Sequence, residues 1–259
     1  MQAHFPEKEC TLILRFYSKS KTGKGGTWCG YNDQMENKLR VEFHCHTCYS
    51  KDSLLKPSAL VKAARGKNLQ RVVITDHNSI KGALEARQLA PDLVIVGEEI
   101  MTSAGELLAA FVQEEIPAGL SPLETIRRLR EQKAFISVSH PFDSFRSGHW
   151  QEQDLLAILP FIDAIEIFNA RCLTMNPNQR ARNFAREHAL SGTAGSDAHT
   201  AWELGRAALV LDPFSDAEGL KKVLRLSQEK VQLSSPLVHF TSRYATLVKK
   251  LGWVRWAER

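Results

Sequence analysis

Cysteine is scarce in this 259-residue chain, with five residues at positions 10, 29, 45, 48 and 172. So thin and odd a set excludes the disulfide framework of a small secreted domain and suits a reducing compartment. Long apolar runs are missing as well. Glu7, Lys8 and Glu9 precede only a short Leu12-Ile13-Leu14 stretch, which does not read as a signal peptide. No run approaches the ~20 residues of a membrane span. A phosphate loop is also lacking: Lys19–Thr27 is rich in lysine and glycine but has no Gly-Lys-Ser/Thr opening a helix. Basic charge is less widespread than a net +5 and a pI of 9.0 suggest. Residues 1–38 hold six Lys/Arg against four Asp/Glu and 229–259 hold six against two, leaving 39–228 at about −1. A body without basic excess argues against a broad nucleic-acid-binding face, though single arginines can still receive phosphate. The expectation is a soluble cytoplasmic protein without membrane association, and nothing fixes an oligomeric state.

What is present is alternation. Short β-rich runs near 39–46, 71–75, 93–97, 106–112, 134–138, 163–168, 192–196 and 207–211 are interleaved with helical stretches. The helices fall near 57–66, 79–89, 151–158, 177–190 and 215–226, with a further one opened by Ser121-Pro122-Leu123-Glu124. There the serine caps and the glutamate completes a capping box. Strands alternating with helices at this spacing predict βα units and a largely parallel sheet. The predicted fold is α/β, a closed or nearly closed barrel. Residues 1–38 read as an N-terminal extension, 39–228 as a metal-binding barrel and 229–259 as a basic tail. From Pro236 the tail is an amphipathic helix carrying Trp253 and Trp256 that packs on the barrel.

Five of the strands run straight into metal-ligand residue types. His44 and His46 lie two apart on a strand, so both point to one face. Asp52 follows in a polar turn, and Asp76-His77, Glu98-Glu99, His140-Pro141 and Asp197-Ala198-His199 end other strands. His77 is the ligand of its pair, with Asp76 orienting a neighbour by hydrogen bonding. Of the adjacent glutamates only one can face the site, and Glu99 is the choice. Cys45 points away from the histidines into the core. Strand tips converging at one rim are where barrels place catalysis. Carboxylates mixed with imidazoles suit two or three divalent ions of Zn, Mn or Fe. Two such ions about 4 Å apart bridge a water and lower its pKa, giving a hydroxide that attacks phosphorus in line. No serine or cysteine nucleophile stands out. Arg171 after the 163–168 strand, Arg146 six residues beyond His140, and Asn169 are the candidates for binding substrate phosphate.

The ordered set His-x-His-Thr, Thr-Asp-His, Gly-x-Glu, Ser-His-Pro and Gly-Ser-Asp-Ala-His resembles the polymerase and histidinol phosphatase (PHP) family over about residues 39–228. The resemblance implies a distorted seven-stranded (β/α) barrel and metal-dependent phosphoester hydrolysis. It gives His44, His46, Glu99 and Asp197 to one metal, Asp52, His77 and His199 to another, and Glu99 with His140 to a third. Glu99, Asp197 and His199 carry the catalysis, and His199 or His77 could protonate the leaving group if not fully committed to metal. The substrate is a small phosphorylated metabolite, a nucleotide or an oligonucleotide end. Two departures stand out. The family's aspartate after His-x-His-Thr comes one residue earlier, where this chain has Lys51, so Asp52 requires a one-residue bulge. The histidine many relatives carry on the strand near 106–112 is absent, which leaves the His140 site short of a ligand. Two other readings are carried: a PHP-like scaffold in an RNA or DNA processing complex, and an amidohydrolase, which also opens with His-x-His on a barrel strand.

Overall fold

The computed structural model describes residues 37–253. All but the last two residues of the expected N-terminal extension, and Trp256, lie outside the described residues. Nine strands form one sheet: β1 (Leu39–Cys45), β2 (Arg71–Ile74), β3 (Val94–Met101), β4 (Glu106–Ala110), β5 (Phe135–Val138), β6 (Ala164–Asn169), β7 (Ser191–Gly195), β8 (Ala207–Leu211) and β9 (Gln228–Val231). Their order is β7-β6-β5-β4-β3-β2-β1-β8-β9. The ring closes where Cys45 bridges Ala198 in parallel just beyond β7, with the His46 N–H donating to the Ala198 carbonyl at 2.8 Å. The result is an α/β protein with a nearly closed, distorted barrel, as the sequence predicts.

The distortion has a local cause. β1, β2 and β3 are mutually parallel, as are β5, β6 and β7, but β4 is antiparallel to both neighbours. Only residues 102–105 join β3 to β4. A parallel crossover takes a dozen or more residues, so so short a link can only reverse the chain. Thr102 fixes that reversal, its hydroxyl donating to the Gly105 carbonyl at 2.6 Å. The sheet is therefore less uniformly parallel than the alternation suggests. β8 and β9 extend it as an antiparallel pair on the outer edge of β1.

The helices α1 (Pro57–Gly66), α2 (Lys81–Leu89), α3 (Pro122–Glu131), α4 (Glu152–Ile158), α5 (Asn176–Glu187), α6 (Ala217–Leu224) and α7 (Val238–Lys250) follow from local signals. α1 and α3 start at proline, whose missing N–H costs nothing in a first turn. Ser121 accepts from the Glu124 N–H, as the capping motif requires. One apolar cluster draws residues from each of β1 to β8, including Phe43, Val73, Phe135, Phe168 and Leu209, together with Leu220 and Leu224 of α6. This packing fills the ring and leaves the strand tips for polar groups. α7 buries Val238, Ala245 and Val248, and Lys249 donates to the Cys48 and Ser50 carbonyls at 2.6 Å each. The end of the described chain is thus tied to the turn that carries Asp52.

Candidate metal centre

Eight side chains from six segments meet at the rim. His44 Nε2 and His46 Nε2 face each other at 3.1 Å, and Glu99 Oε2 lies 3.3 and 3.4 Å from them. Asp197 Oδ1 approaches His46 Nε2 at 3.3 Å and His44 Nε2 at 3.8 Å. Asp52 Oδ2 is 3.1 Å from His199 Nε2 and 3.6 Å from His77 Nε2. His77 turns its other nitrogen to Glu99 Oε2 at 3.0 Å, and His140 Nε2 meets Glu99 Oε1 at 3.2 Å. Glu99 is thus the hub. The bulge that Asp52 requires is a pair of consecutive turns, Ser50 N–H to Thr47 O and Ser53 N–H to Ser50 O, which leaves Lys51 exposed and swings Asp52 inward. Asp197 adopts φ 51°, a left-handed conformation that aspartate tolerates better than most side chains.

A residue unforeseen in the sequence completes the set. Glu106, at the start of β4, stands 3.4 Å from His140 Nε2 and 3.8 Å from His77 Nδ1. It occupies the region where a histidine was sought, so the His140 side of the centre has two carboxylates. Gly148 makes room for it, since a Cβ there would lie 1.9 Å from Glu106 Oε2. Glu98 faces elsewhere: it accepts from the Ile116 N–H at 3.0 Å, and burial pushes its carboxyl up to about 8.

Neighbouring groups fix the imidazoles. His44 Nδ1 sits 2.9 Å from Glu166 Oε1, so the ring donates there and presents the Nε2 lone pair to the cluster. Asp76 accepts from Thr47 N–H, Thr47 Oγ1 and Ser50 Oγ, and Ser50 in turn contacts His46 Nδ1 at 3.1 Å. The orienting role read for Asp76 is therefore exerted on His46, through a serine. His199 Nδ1 lies 2.8 Å from the Asp197 carbonyl. Glu42 ties β1 to the β7 tip and to the approach to β8 by accepting from the N–H groups of His44, Ser196 and Gly205; burial raises its carboxyl to about 7.

These residues fit a metal. Glu99 Oε2, Asp197 Oδ1, Asp52 Oδ1, His140 Nε2 and His199 Nε2 are all buried without a hydrogen-bond partner. Orphaned acceptors are costly in a protein interior, and cations held among these side chains would relieve that cost. Against burial, Glu99 raises both His44 and His77, so without a metal protons stand where a cation would sit. Burial, His199 and His77 hold His46 down at about 3, leaving it neutral and able to ligate. Burial opposes the charge of Asp197, but Arg146 and His44 outweigh it and keep the carboxyl ionised. Burial and the neighbouring Glu99 push Glu106 up. Such a carboxylate pair is relieved by a cation between them.

The three phosphate candidates occupy different environments. Arg146 is at the rim, its side chain 21% exposed, with Nη2 on Asp197 Oδ2. Asn169 is buried and donates to Glu166 Oε2 and Asp197 Oδ2 at 3.1 and 3.2 Å. Arg171 is moved from the mouth to the interior. Its guanidinium donates to the Val238 carbonyl and Ser242 Oγ, and stands against Glu203 and His199. It reads as a strut between α7 and the centre. Cys45 and Cys48 have a Cys-x-x-Cys spacing that the cysteine count alone passes over. Both are free and buried, and Cys45 donates to the Val73 carbonyl, away from the cluster.

A nearly closed α/β ring with a carboxylate–imidazole centre at its strand tips defines a class of metal-binding barrels. Comparison narrows it. The PHP domain pattern matches residues 42–134, and the PHP-associated pattern residues 176–228. An uncharacterized protein of Methanocaldococcus jannaschii is 36% identical over 172 residues, 65% of this chain and 69% of its own. The chain belongs to the PHP domain family. Among solved structures, a two-domain Bacteroides vulgatus protein containing a predicted PHP-like metal-dependent phosphoesterase is 20% identical with a TM-score of 0.63, over 80% of this chain and 70% of that one. PsfC from Pseudomonas syringae is 20% identical with a TM-score of 0.62, over 82% and 99%. At such identities these two structures show the shared fold.

Proposed function

We propose that the protein is a metal-dependent phosphoesterase that hydrolyses a phosphomonoester or phosphodiester of a small phosphorylated metabolite, a nucleotide or an oligonucleotide end. The observation that carries this reading is the set of five buried, partnerless acceptor atoms at the strand tips. Family membership and the description of the Bacteroides vulgatus protein support it. His44, His46, Glu99 and Asp197 would hold one ion, Asp52, His77 and His199 a second, and Glu99, Glu106 and His140 a third, with Zn, Mn or Fe suiting the donors. Bound there, such ions supply Lewis-acid polarisation of a phosphoryl oxygen and lower the pKa of a coordinated water.

The chain's own residues do the rest. Glu99, at the hub, holds its ligand partners within one charge cluster, and Asp197 carries Arg146 to the rim, where its exposed edge meets phosphoryl oxygens. His199, held by the Asp197 carbonyl through Nδ1, directs its Nε2 lone pair toward Asp52, as a ligand of the second ion requires. Asn169 steadies Asp197 from behind. No described helix is long and apolar enough to cross a membrane, and the free buried thiols suit the cytoplasm. A scaffold role sits poorly with so complete a ligand set, and membership of the PHP family disfavours an amidohydrolase.

The test is hydrolysis of p-nitrophenyl phosphate and its bis ester with Mn²⁺ or Zn²⁺, with EDTA as the control and a cyclic amide panel alongside. His44→Ala and Asp197→Ala should abolish turnover while circular dichroism stays native. Full turnover in either variant, or activity on the amides alone, would sink the reading.

A further inference from the structure

A second concentration of charge lies outside the metal centre. It surrounds a cleft of about 550 Å³ between the start of β1, the end of α1, the loop before β8 and the edge strand β9. Arg40, Lys67, Arg206 and Lys230 line it together with Trp202, and no carboxylate does. The near-neutral balance of residues 39–228 conceals Arg40, Lys67 and Arg206, Lys230 lies in the basic tail, and the four come from four separate segments.

The cations are placed by neutral groups. Arg40 donates to the carbonyls of Lys67 and Gly205 at 2.9 and 2.8 Å. Lys67 donates to those of Trp202 and Leu204 at 2.8 and 2.6 Å. Arg206 stands over the Trp202 ring, 5.7 Å from its centroid, and reaches only the Leu233 carbonyl at 3.4 Å. Its Nε is buried without a partner. Lys230 is exposed on the edge strand, and none of the four is ion-paired among the described residues. Two acids stand behind the wall, both committed elsewhere. Glu42 accepts from backbone N–H groups, and Glu203 from the His199 N–H and the Thr200 hydroxyl. Burial, then Arg206 and Arg40, hold the Lys67 ammonium below its ordinary value. Unpaired like charges in a concave, partly dry wall raise a positive potential that an anion relieves.

We propose that this cleft is a binding site for single-stranded nucleic acid, with backbone phosphates at Arg206, Lys230 and Lys67 and a base packed against Trp202. Four cations exceed what one free phosphate needs, and the indole, 45% exposed, supplies the apolar face that a base uses and an inorganic anion does not. A charged groove with an aromatic platform is how single strands are held without sequence preference. None of these residues belongs to the metal centre, so the inference goes beyond the phosphoesterase reading and stands without it.

The experiment is fluorescence polarisation of a labelled, phosphorothioate-linked oligothymidylate of about 12 residues across a salt series. Arg206→Glu with Lys230→Glu is compared with the charge-matched surface pair Lys62→Glu with Lys222→Glu, circular dichroism verifying that each is folded. The cleft variant should bind at least about tenfold more weakly, with a log K against log salt slope shallower by about 1.4, two phosphate contacts' worth. Trp202→Leu should weaken binding with the slope unchanged. Equal binding by the cleft and control variants overturns the proposal. So does a strand displaced as readily by inorganic phosphate as by unlabelled strand, which would leave a free-phosphate site.

Discussion

Glu166→Gln is the sharpest probe of how the metal centre is held, because it exchanges one oxygen for an NH₂ and alters almost no volume. Glu166 is buried in β6 and meets His44 at Nδ1, while Nε2 of that ring faces the cluster. Its Oε1 takes the proton of His44 Nδ1 at 2.9 Å, while Oε2 accepts from the His140 N–H at 2.9 Å and from Asn169 Nδ2 at 3.1 Å. A glutamine offers one acceptor and one donor, and neither orientation serves. With its NH₂ toward His140 and Asn169, donors face donors. With its NH₂ toward His44, the imidazole must accept at Nδ1 and keep its proton on Nε2, aimed where a cation should sit. Loss of an outer hydrogen-bond partner of a ligating histidine typically costs 10- to 100-fold in metal affinity, or about 1.4–2.8 kcal/mol. Competition with a fluorescent chelator for Mn²⁺ or Zn²⁺ reads that change directly, with circular dichroism to show that the barrel persists. An affinity within twofold of the parent in a folded variant would refute the chain of support drawn from Glu166 through His44.

Three further outcomes are expected. Gly195→Ala places a Cβ 2.2 Å from that of His44, so β7 and β1 must separate; thermal stability should fall by about 1–3 kcal/mol and bound metal should drop, as read by melting and metal analysis. An unchanged metal content there would contradict the close approach. Glu106→Gln should lower the metal bound per chain by about one equivalent while sparing the His44–His46 site, and equal stoichiometry by elemental analysis would remove Glu106 from the ligand set. Chelation with EDTA should lower the melting temperature, reversibly on adding Mn²⁺, since a cation bound only by the native state stabilises it by mass action. A melting curve indifferent to both would mean that the orphaned acceptors bind nothing.

How much of this was legible depends on where a residue sits along its strand. His44, His46, His77, Glu99, His140, Asp197 and His199 end parallel strands or follow them, and an apolar run stopping at a ligand type is a readable signal. Glu106 hid because β4 runs backwards, so its first residue, not its last, reaches the rim. The short 102–105 link implies that reversal, but the resemblance directs attention to a missing histidine on this strand rather than to the glutamate at its start. Glu166 and Glu42 are carboxylates flanked by apolar residues within their strands, a mismatch that flags a buried acceptor. Arg171 follows its strand, but its direction is set by α7, whose docking no local pattern reveals. The same holds for Lys67 and Arg206, distant in sequence and joined only by the fold.

The clamp that Lys249 places on the Cys48 and Ser50 carbonyls has a consequence for how the protein is made. The turn it steadies presents Asp52 to His199 and His77, so a ligand delivered early depends on an ammonium synthesised some 200 residues later. On the ribosome the nascent barrel would meet its cations with this corner still loose. Tight metal capture at this corner would wait for residue 249 to emerge, and contacts spanning so much chain are also the slowest to form.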